Sequence, residues 1–483
     1  MAWVRNNVRW AQETRALPGG TRGGVRPSVS RGGRLERRGC PGLLGRMGRM
    51  GRMGRLGPVG RFMAVAALLW TVQAACVPDP HVVGSKKVTV GEKLGIEVDQ
   101  GPKLISGDVL FIDAQGNRFD ANSADLAYQF VGPDEIVLRI PAGAATGPAT
   151  LHLGTEGRAQ GYDIDLEVHR MAVLLDPIGR LYILDTDTGK VVDVVALGHG
   201  EMRAAAADRT TKILATASDE AAVHFYTVTG GGLVSYSPAV DGVGTRAAGA
   251  VRLGDHVLVA VQQGLAWLEQ GQAGSTLLKG FLGQAPVVAL ASADQADKVV
   301  ALLGFAGDAT DYADTLEVVA LDNGQPKVTA QVDLGGTAGG ASWPVVSHDG
   351  TQAWVNNRVD DQVAIVSLDG QPQVMGRVSL PSDGDFVHRD PFRLLLSPDG
   401  KTLLVLCAGS KSLVFYDVGE GTLQFSRAIR LDDVPWDAGY VGHTLYVLTA
   451  WKVVRIDLDA GDPKPRDAGW EIGVGMSRMF VQP

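Results

Sequence analysis

"SHDGTQAWVNNRVDDQVAIVSLDG", residues 347–370, alternates apolar and polar residues in two runs, with a polar break between them and an Asp-Gly pair at each end. Period-two alternation puts one set of side chains on one face of a strand, and Asp-Gly favours tight reversals. The stretch therefore spells turn, strand, break, strand, turn. The same grammar returns in "SPDGKTLLVLCAGSKSLVFYDVGEGTLQFSRAI" (397–429), with weaker copies at 207–231, 253–272, 293–324 and 442–461. The ends of the third strands supply markers at Asp185, Thr227, Glu269, Asp322, Asp369, Asp417 and Asp457, spaced 40 to 53 residues apart. That period belongs to radial arrays of four-stranded blades. Seven markers predict an all-β fold built as a seven-bladed β-propeller over 171–483.

The ends of the array agree with this. The first copy, from Met171, lacks an innermost strand, and "MSRMFVQP" (476–483) has the pattern of the missing one. Closure of the ring by that strand would remove the unpaired edges of an open array. It also sets a domain boundary near residue 170 and predicts a heavy cost for losing the closing residues.

Ahead of the array, 87–168 carries short alternating runs separated by Gly, Pro and Asn turns: "VTVGEKLGIEV", "DVLFIDAQGNRF", "EIVLRIPAGAATGPATLHLG" and "YDIDLEV". Such spacing predicts an antiparallel, immunoglobulin-like β-sandwich. Residues 76–86 read as a linker.

Residues 1–75 differ in kind. Residues 1–62 hold 14 Arg, no Lys and only Glu13 and Glu36, so the net charge of −8 hides a basic arm on an acidic remainder. "GRMGRMGRMGRLGPVGRF" (45–62) is low-complexity and buries no core. The apolar run "MAVAALLWTV" (63–72) and "VQAAC" (72–76) follow it. A basic flank, a short apolar run and small residues before a cleavage point describe an export signal. "VQAAC" is similar to bacterial lipoprotein signals, which implies a lipidated Cys76; cleavage after Ala74 or Ala75 is the alternative. The arm before it is read as a start assigned too far upstream, with Met47, Met50, Met53 or Met63 as the working start. It lacks interleaved aromatics, and no nucleic-acid partner is expected. The remaining cysteines, Cys40 and Cys407, form no CxxC, so zinc ribbons and c-type haem attachment are not expected.

Two resemblances sharpen the picture. Trp354, Val355, Asn356 and Asn357 stand where the YVTN-type propeller repeat, related in fold to bacterial lactonase-like propellers, has its name-giving residues. "SPDGKTLLV" (397–405) resembles that family's strand entry. The likeness spans about 310 residues and speaks for fold, because these are turn and core residues in every blade. "IVLRIPAGAATGPATLHL" (136–153), with Pro141, Gly143 and Gly147, resembles the closing half of IPT/TIG domains, which implies a spacer or adhesive module.

Propellers bind ligands at the mouth of the channel, on loops entering each innermost strand. Aligned on the repeat, those positions are Arg478, Arg203, Arg246, Pro286, Trp343, Arg393 with Arg389, and Trp436 with Asp437. Arg at three adjacent entries (Arg478, Arg203, Arg246) suits a carboxylate or phosphate, which guanidinium binds through two parallel hydrogen bonds. Pairing with neighbouring Asp residues in the funnel wall is the competing reading. The loop "LPSDGDFVHRDPFRL" (380–394) offers Asp383, Asp385, His388 and Asp390 as general acid/base groups or as ligands for a divalent metal, against a solvated polar loop. "DTDTGK" (185–190) reads as a hairpin turn, not a calcium loop, and Asp308, Asp311 and Asp314 as an acidic surface insertion.

The functional expectation is an exported, lipid-anchored envelope protein whose propeller is a binding or assembly platform for an envelope protein or a small anionic ligand, with no resident cofactor. An outer-membrane or cell-surface lipoprotein and a periplasmic or secreted protein both fit. The alternative is a metal-dependent lactonase-like hydrolase or lyase using His388, Asp385 and Asp390. A quinone- or haem-dependent oxidoreductase rests on fold analogy alone.

Overall fold

Alternation and Asp-Gly punctuation do produce strands: in the computed structural model every regular element among the described residues is a β-strand. The structure describes residues 81–483 apart from 84–85, 98–103, 121–125, 133–134, 142, 157, 177–178, 197–201, 208–211, 218–221, 230–231, 241–248, 255, 262–263, 270–275, 278–286, 293–297, 304–313, 338–339, 384–385, 471, 473–475, 477 and 482–483. Cys76 and the whole Arg-rich arm lie outside the described residues.

The first part is two sheets closed on one core. One sheet runs His81–Val83, Lys93–Glu97, Glu135–Arg139, Tyr128–Phe130; the other runs Lys87–Thr89, Arg158–His169, Gly147–Thr155, Leu104–Ile112, Arg118–Asp120. Inward residues at alternate positions, among them Ile96, Phe111, Ile136, Leu138 and Leu151, fill the space between them. Residues 81–83, read from the sequence as linker, are an edge strand paired with Glu97, Ile96 and Gly95. The "PAGAATG" loop is tied down by Asp113, whose carboxylate accepts N–H groups from Gln115, Asn117 and Ala145. Gly147 there has φ +116°, a conformation that other residues avoid, and a Cβ would sit 3.1 Å from Ala114 Cβ.

The remainder contains seven four-stranded antiparallel sheets among the described residues. Six are runs of consecutive strands, opening with Met202–Ala207, Gly249–Leu253, Val287–Ser292, Ala341–Val346, Pro391–Leu396 and Pro435–Val441. The seventh, first in the chain, is composite: Met171–Leu175, Arg180–Asp185 and Val191–Ala196 take Arg478–Val481 as their inner partner. Each innermost strand lies against the next, and Arg478–Val481 lies against both Pro435–Val441 and Met202–Ala207, so the series closes on itself.

Packing of sheet on sheet explains the burial pattern. Second strands such as Gln352–Asn357 and Thr402–Cys407 are buried at nearly every residue because neighbouring sheets cover both faces. Outer strands such as Gln373–Ser379 alternate between half-buried and exposed. The turns follow a common recipe. In 347–352 and 397–402 a Ser Oγ donates to the Asp two residues on at 2.6 Å and accepts the N–H of Gln352 or Thr402 at 2.9 Å. Gly400 has φ +72°, and a Cβ there would come within 2.8 Å of His348, whose Nε2 lies 3.1 Å from Ser397 O.

Only Arg170 separates the last strand of the sandwich from Met171. The junction is bonded: Val90 N–H and Thr89 Oγ1 both donate to His169 O, and His169 Nδ1 lies 2.7 Å from Asp185 Oδ2. Asp185 Oδ1 also accepts N–H groups from Asp187 and Thr188, which makes 185–190 a hairpin turn.

Candidate functional site

A repeated slip in the ladders positions the site. Ala341 pairs with Asn357, but Trp343 pairs with Asn356; Pro391 with Cys407 but Arg393 with Leu406; Pro435 with Thr449 but Asp437 with Leu448. One residue is skipped each time, a β-bulge that re-aims the side chains beside it. Trp343, Arg393 and Asp437 thus share one rung, opposite the fifth residue of the second strand. Arg478, opposite Leu175, occupies that rung in the first sheet. The second, third and fourth sheets place Ala204, Gly249 and Ala289 there. Four successive sheets therefore carry Trp, Arg, Asp and Arg at this level, and the other three carry residues with at most one side-chain carbon.

The large residues meet. The Arg393 Cζ lies 4.2 Å and the Arg478 Cζ 4.3 Å from the centroid of the Trp343 ring, so two guanidiniums stack on one indole. Trp343 is held from behind by Asn356, which is fully buried; its Oδ1 accepts the Trp343 N–H at 2.7 Å and its amide donates to Ser342 Oγ and to Pro391 O. One of the residues that carries the family resemblance thus pins the backbone from which the indole projects.

Arg393 Nε lies 3.0 Å from Asp437 Oδ1, with side chains only 11% and 2% exposed. Asp437 also accepts N–H groups from Ala438 and Met479. Burial pulls the Arg393 guanidinium below its usual pKa against the pull of Asp437. Burial likewise pushes the Asp437 carboxyl upward, opposed by Arg393 and the two N–H groups. Arg393 Nη1 is buried and has no hydrogen-bond partner. Unmatched buried donors are costly in a folded protein, and Nη1 is such a donor at the centre of this cluster.

Of the residues named from sequence, Trp343, Arg393 and Arg478 come together, with Asp437 beside them. Trp436 is a skipped residue one position off the rung; its ring meets Phe392 edge to face at 5.4 Å, and Arg358 covers Phe392 at 5.0 Å. Arg203 is displaced in the same way, being the residue skipped between Met202 and Ala204, so alignment by sequence set it one position from Arg393. Arg246 and Pro286 lie outside the described residues. Arg389 is exposed and its N–H donates to Ser410 Oγ.

The loop candidates are engaged with other groups. His388 is buried, with Nδ1 2.8 Å from Ser412 Oγ, so it is a packed residue and not part of a solvated loop. Asp390 holds Arg358 through two contacts at 2.5 and 2.9 Å, a pair absent from the sequence reading. Asp385 lies outside the described residues. Among the described residues no group of three or more His, Cys, Asp or Glu could hold a metal ion. Asp314 is buried, its Oδ1 accepting the Ala341 N–H, while Asp308 and Asp311 lie outside the described residues.

No protein-family model and no curated protein matches the sequence. Solved structures do resemble it. A functionally unknown protein from Desulfotomaculum acetoxidans aligns at 12% identity and TM-score 0.52 over 64% of this chain and 98% of its own. The periplasmic gluconolactonase of Pseudomonas aeruginosa aligns at 16% identity and TM-score 0.48, over 65% and 98%. The Cps50 (Swd1) β-propeller domain of Myceliophteria thermophila aligns at 12% identity and TM-score 0.45, over 58% and 90%. At 12% identity the likeness to the Desulfotomaculum acetoxidans protein is one of fold alone.

Proposed function

We propose that this chain is an exported protein in which an immunoglobulin-like sandwich of the IPT/TIG type precedes a seven-bladed propeller, and that the propeller recognises an anionic group at the rung of Trp343, Arg393 and Arg478. The observation that carries the reading is the convergence of two guanidiniums on one indole, one of them with a buried, unspent N–H at Nη1. Asp437 offsets one of the two positive charges and leaves the rung cationic. Ala204, Gly249 and Ala289 complete the same level with residues that leave room for a ligand. A carboxylate or phosphate oxygen would take Nη1 and a donor of Arg478 at once. Export rests on the basic flank, the apolar run 63–72 and "VQAAC", with Cys76 as the lipid attachment and the cell envelope as the setting.

Calorimetric titration with citrate and with inorganic phosphate tests the proposal. Binding should weaken at least tenfold in Arg478→Gln and in Trp343→Ala, each losing about 1.4 kcal/mol or more. Equal affinity in both variants would sink it. Turnover of simple lactones that disappears in His388→Asn would instead favour the hydrolase.

A further inference from the structure

A second site is built where the sandwich meets the ring. A cleft of about 860 Å³ opens there, at the far ends of the innermost strands from Arg393. The sandwich contributes Gln115 and Ala144, the junction contributes Arg170, and the sixth and seventh sheets contribute Phe415, Arg427 and Tyr440. A volume of this size suits an organic molecule, not a single ion.

The polar groups of the cleft are unevenly satisfied. Tyr440 is 8% exposed, its ring sits in the core between the sixth and seventh sheets, and its hydroxyl is buried with no hydrogen-bond partner. A lost hydroxyl partner in a dry setting is costly, so an unmatched one beside a cavity marks a place where a guest can contribute. Burial pushes the phenol pKa upward, and it stays a donor at every physiological pH. Arg427 lies with its Cζ 4.9 Å over the Phe415 ring and spends Nη1 on Leu458 O at 3.3 Å. Arg170 reaches Ala144 O at 3.4 Å, and burial lowers its pKa, a sign of how little water reaches it. One carboxylate, Asp399, also lines the cleft, but it is occupied by Ser397 Oγ and the Lys401 N–H.

We propose that this cleft binds an organic oxyanion, a carboxylate or phosphate on an apolar body, with the head group on the Tyr440 hydroxyl and the two guanidiniums and the body against the apolar walls. Because its lining comes from both parts of the chain, the ligand would tie the sandwich to the ring. This goes beyond the anion rung around Trp343 and does not depend on it.

The test is titration of the full chain with phenyl phosphate, followed by calorimetry, with inorganic phosphate as the probe lacking a body. The expected result is a binding phase that is stronger for phenyl phosphate and weakens about tenfold or more in Tyr440→Phe and in Arg427→Gln. Arg478→Gln should leave that phase unchanged, which separates it from the other site. Tyr440→Phe removes a hydroxyl without a partner in the protein, so its melting temperature should not fall. A phase indifferent to both substitutions, or a clear destabilisation by Tyr440→Phe alone, would overturn the proposal.

Discussion

Arg393 and Asp437 face each other across two neighbouring sheets, Nε to Oδ1 at 3.0 Å, and both side chains are almost wholly withdrawn from water. Removing one member of such a pair leaves a buried charge without compensation, typically at a cost of about 3–5 kcal/mol. Asp437→Ala should therefore lower the urea midpoint strongly, and Asp437→Ala with Arg393→Met should recover much of the loss. If the single and double variants unfold alike, the pair is not what holds these strands.

Asp437 also accepts the Met479 N–H, so the pair is linked to the strand that closes the ring. Arg478–Val481 is the inner partner of Met171–Leu175 and lies next to two other innermost strands. Deleting 478–483 exposes the edge of Met171–Leu175 and uncovers Ala172 and Leu174, both fully buried. The expected outcome is loss of the cooperative melting transition or aggregation. A truncated chain that melts within a few degrees of the full one would contradict the closure described here.

Acid should loosen the Asp-Gly turns. The hydrogen bond from Ser347 to Asp349, and that from Ser397 to Asp399, hold these carboxyls below the ordinary 3.8. A depressed carboxyl contributes stability that is present above 3.8 and is lost as the pH falls through the folded value. Both side chains are largely in solvent, so the contribution is small. Asp349→Asn with Asp399→Asn should reduce the fall in melting temperature between pH 6 and pH 2.5, which scanning calorimetry can follow. An undiminished fall would assign the acid sensitivity elsewhere.

Cys407 sits in a fully buried strand with its thiol pushed up to about 12, mainly by burial. Thiolate is the reactive form, so iodoacetamide at pH 8 should leave Cys407 unlabelled in the native protein and label it in urea. Peptide mass mapping reads both states. Native labelling within minutes would mean that the sixth sheet opens readily.

Six of the seven markers read from the sequence fall within the third strand of a sheet, and Asp369 lies two residues past the end of its own. Strands and turns were legible because they depend on local alternation and on turn residues that hardly vary from copy to copy. The rung was only half legible. A β-bulge adds one residue without changing the pattern of hydrophobicity, so Arg203, and Trp436 alongside Asp437, looked equivalent to Arg393, whereas the register equates Arg393 with Ala204 and Asp437. The edge strand at 81–83 was missed because three residues are too few to show a period. The burial of His388 was missed because its polar neighbours in sequence are not its neighbours in space. The cleft beneath Tyr440 has no sequence signature at all, since its lining is assembled from three distant parts of the chain.

The single-residue connection at Arg170 has a mechanical meaning. There is no slack between the sandwich and the ring, so tension applied through Arg158–His169 is delivered directly into Met171–Leu175. That strand is flanked by Arg180–Asp185 on one side and Arg478–Val481 on the other, both antiparallel. A pull along its axis must shear two ladders at once and cannot unzip one bond after another. The point where load enters the ring is therefore a clamp, gripped on one side by the strand that directly follows it and on the other by one about 300 residues away in sequence.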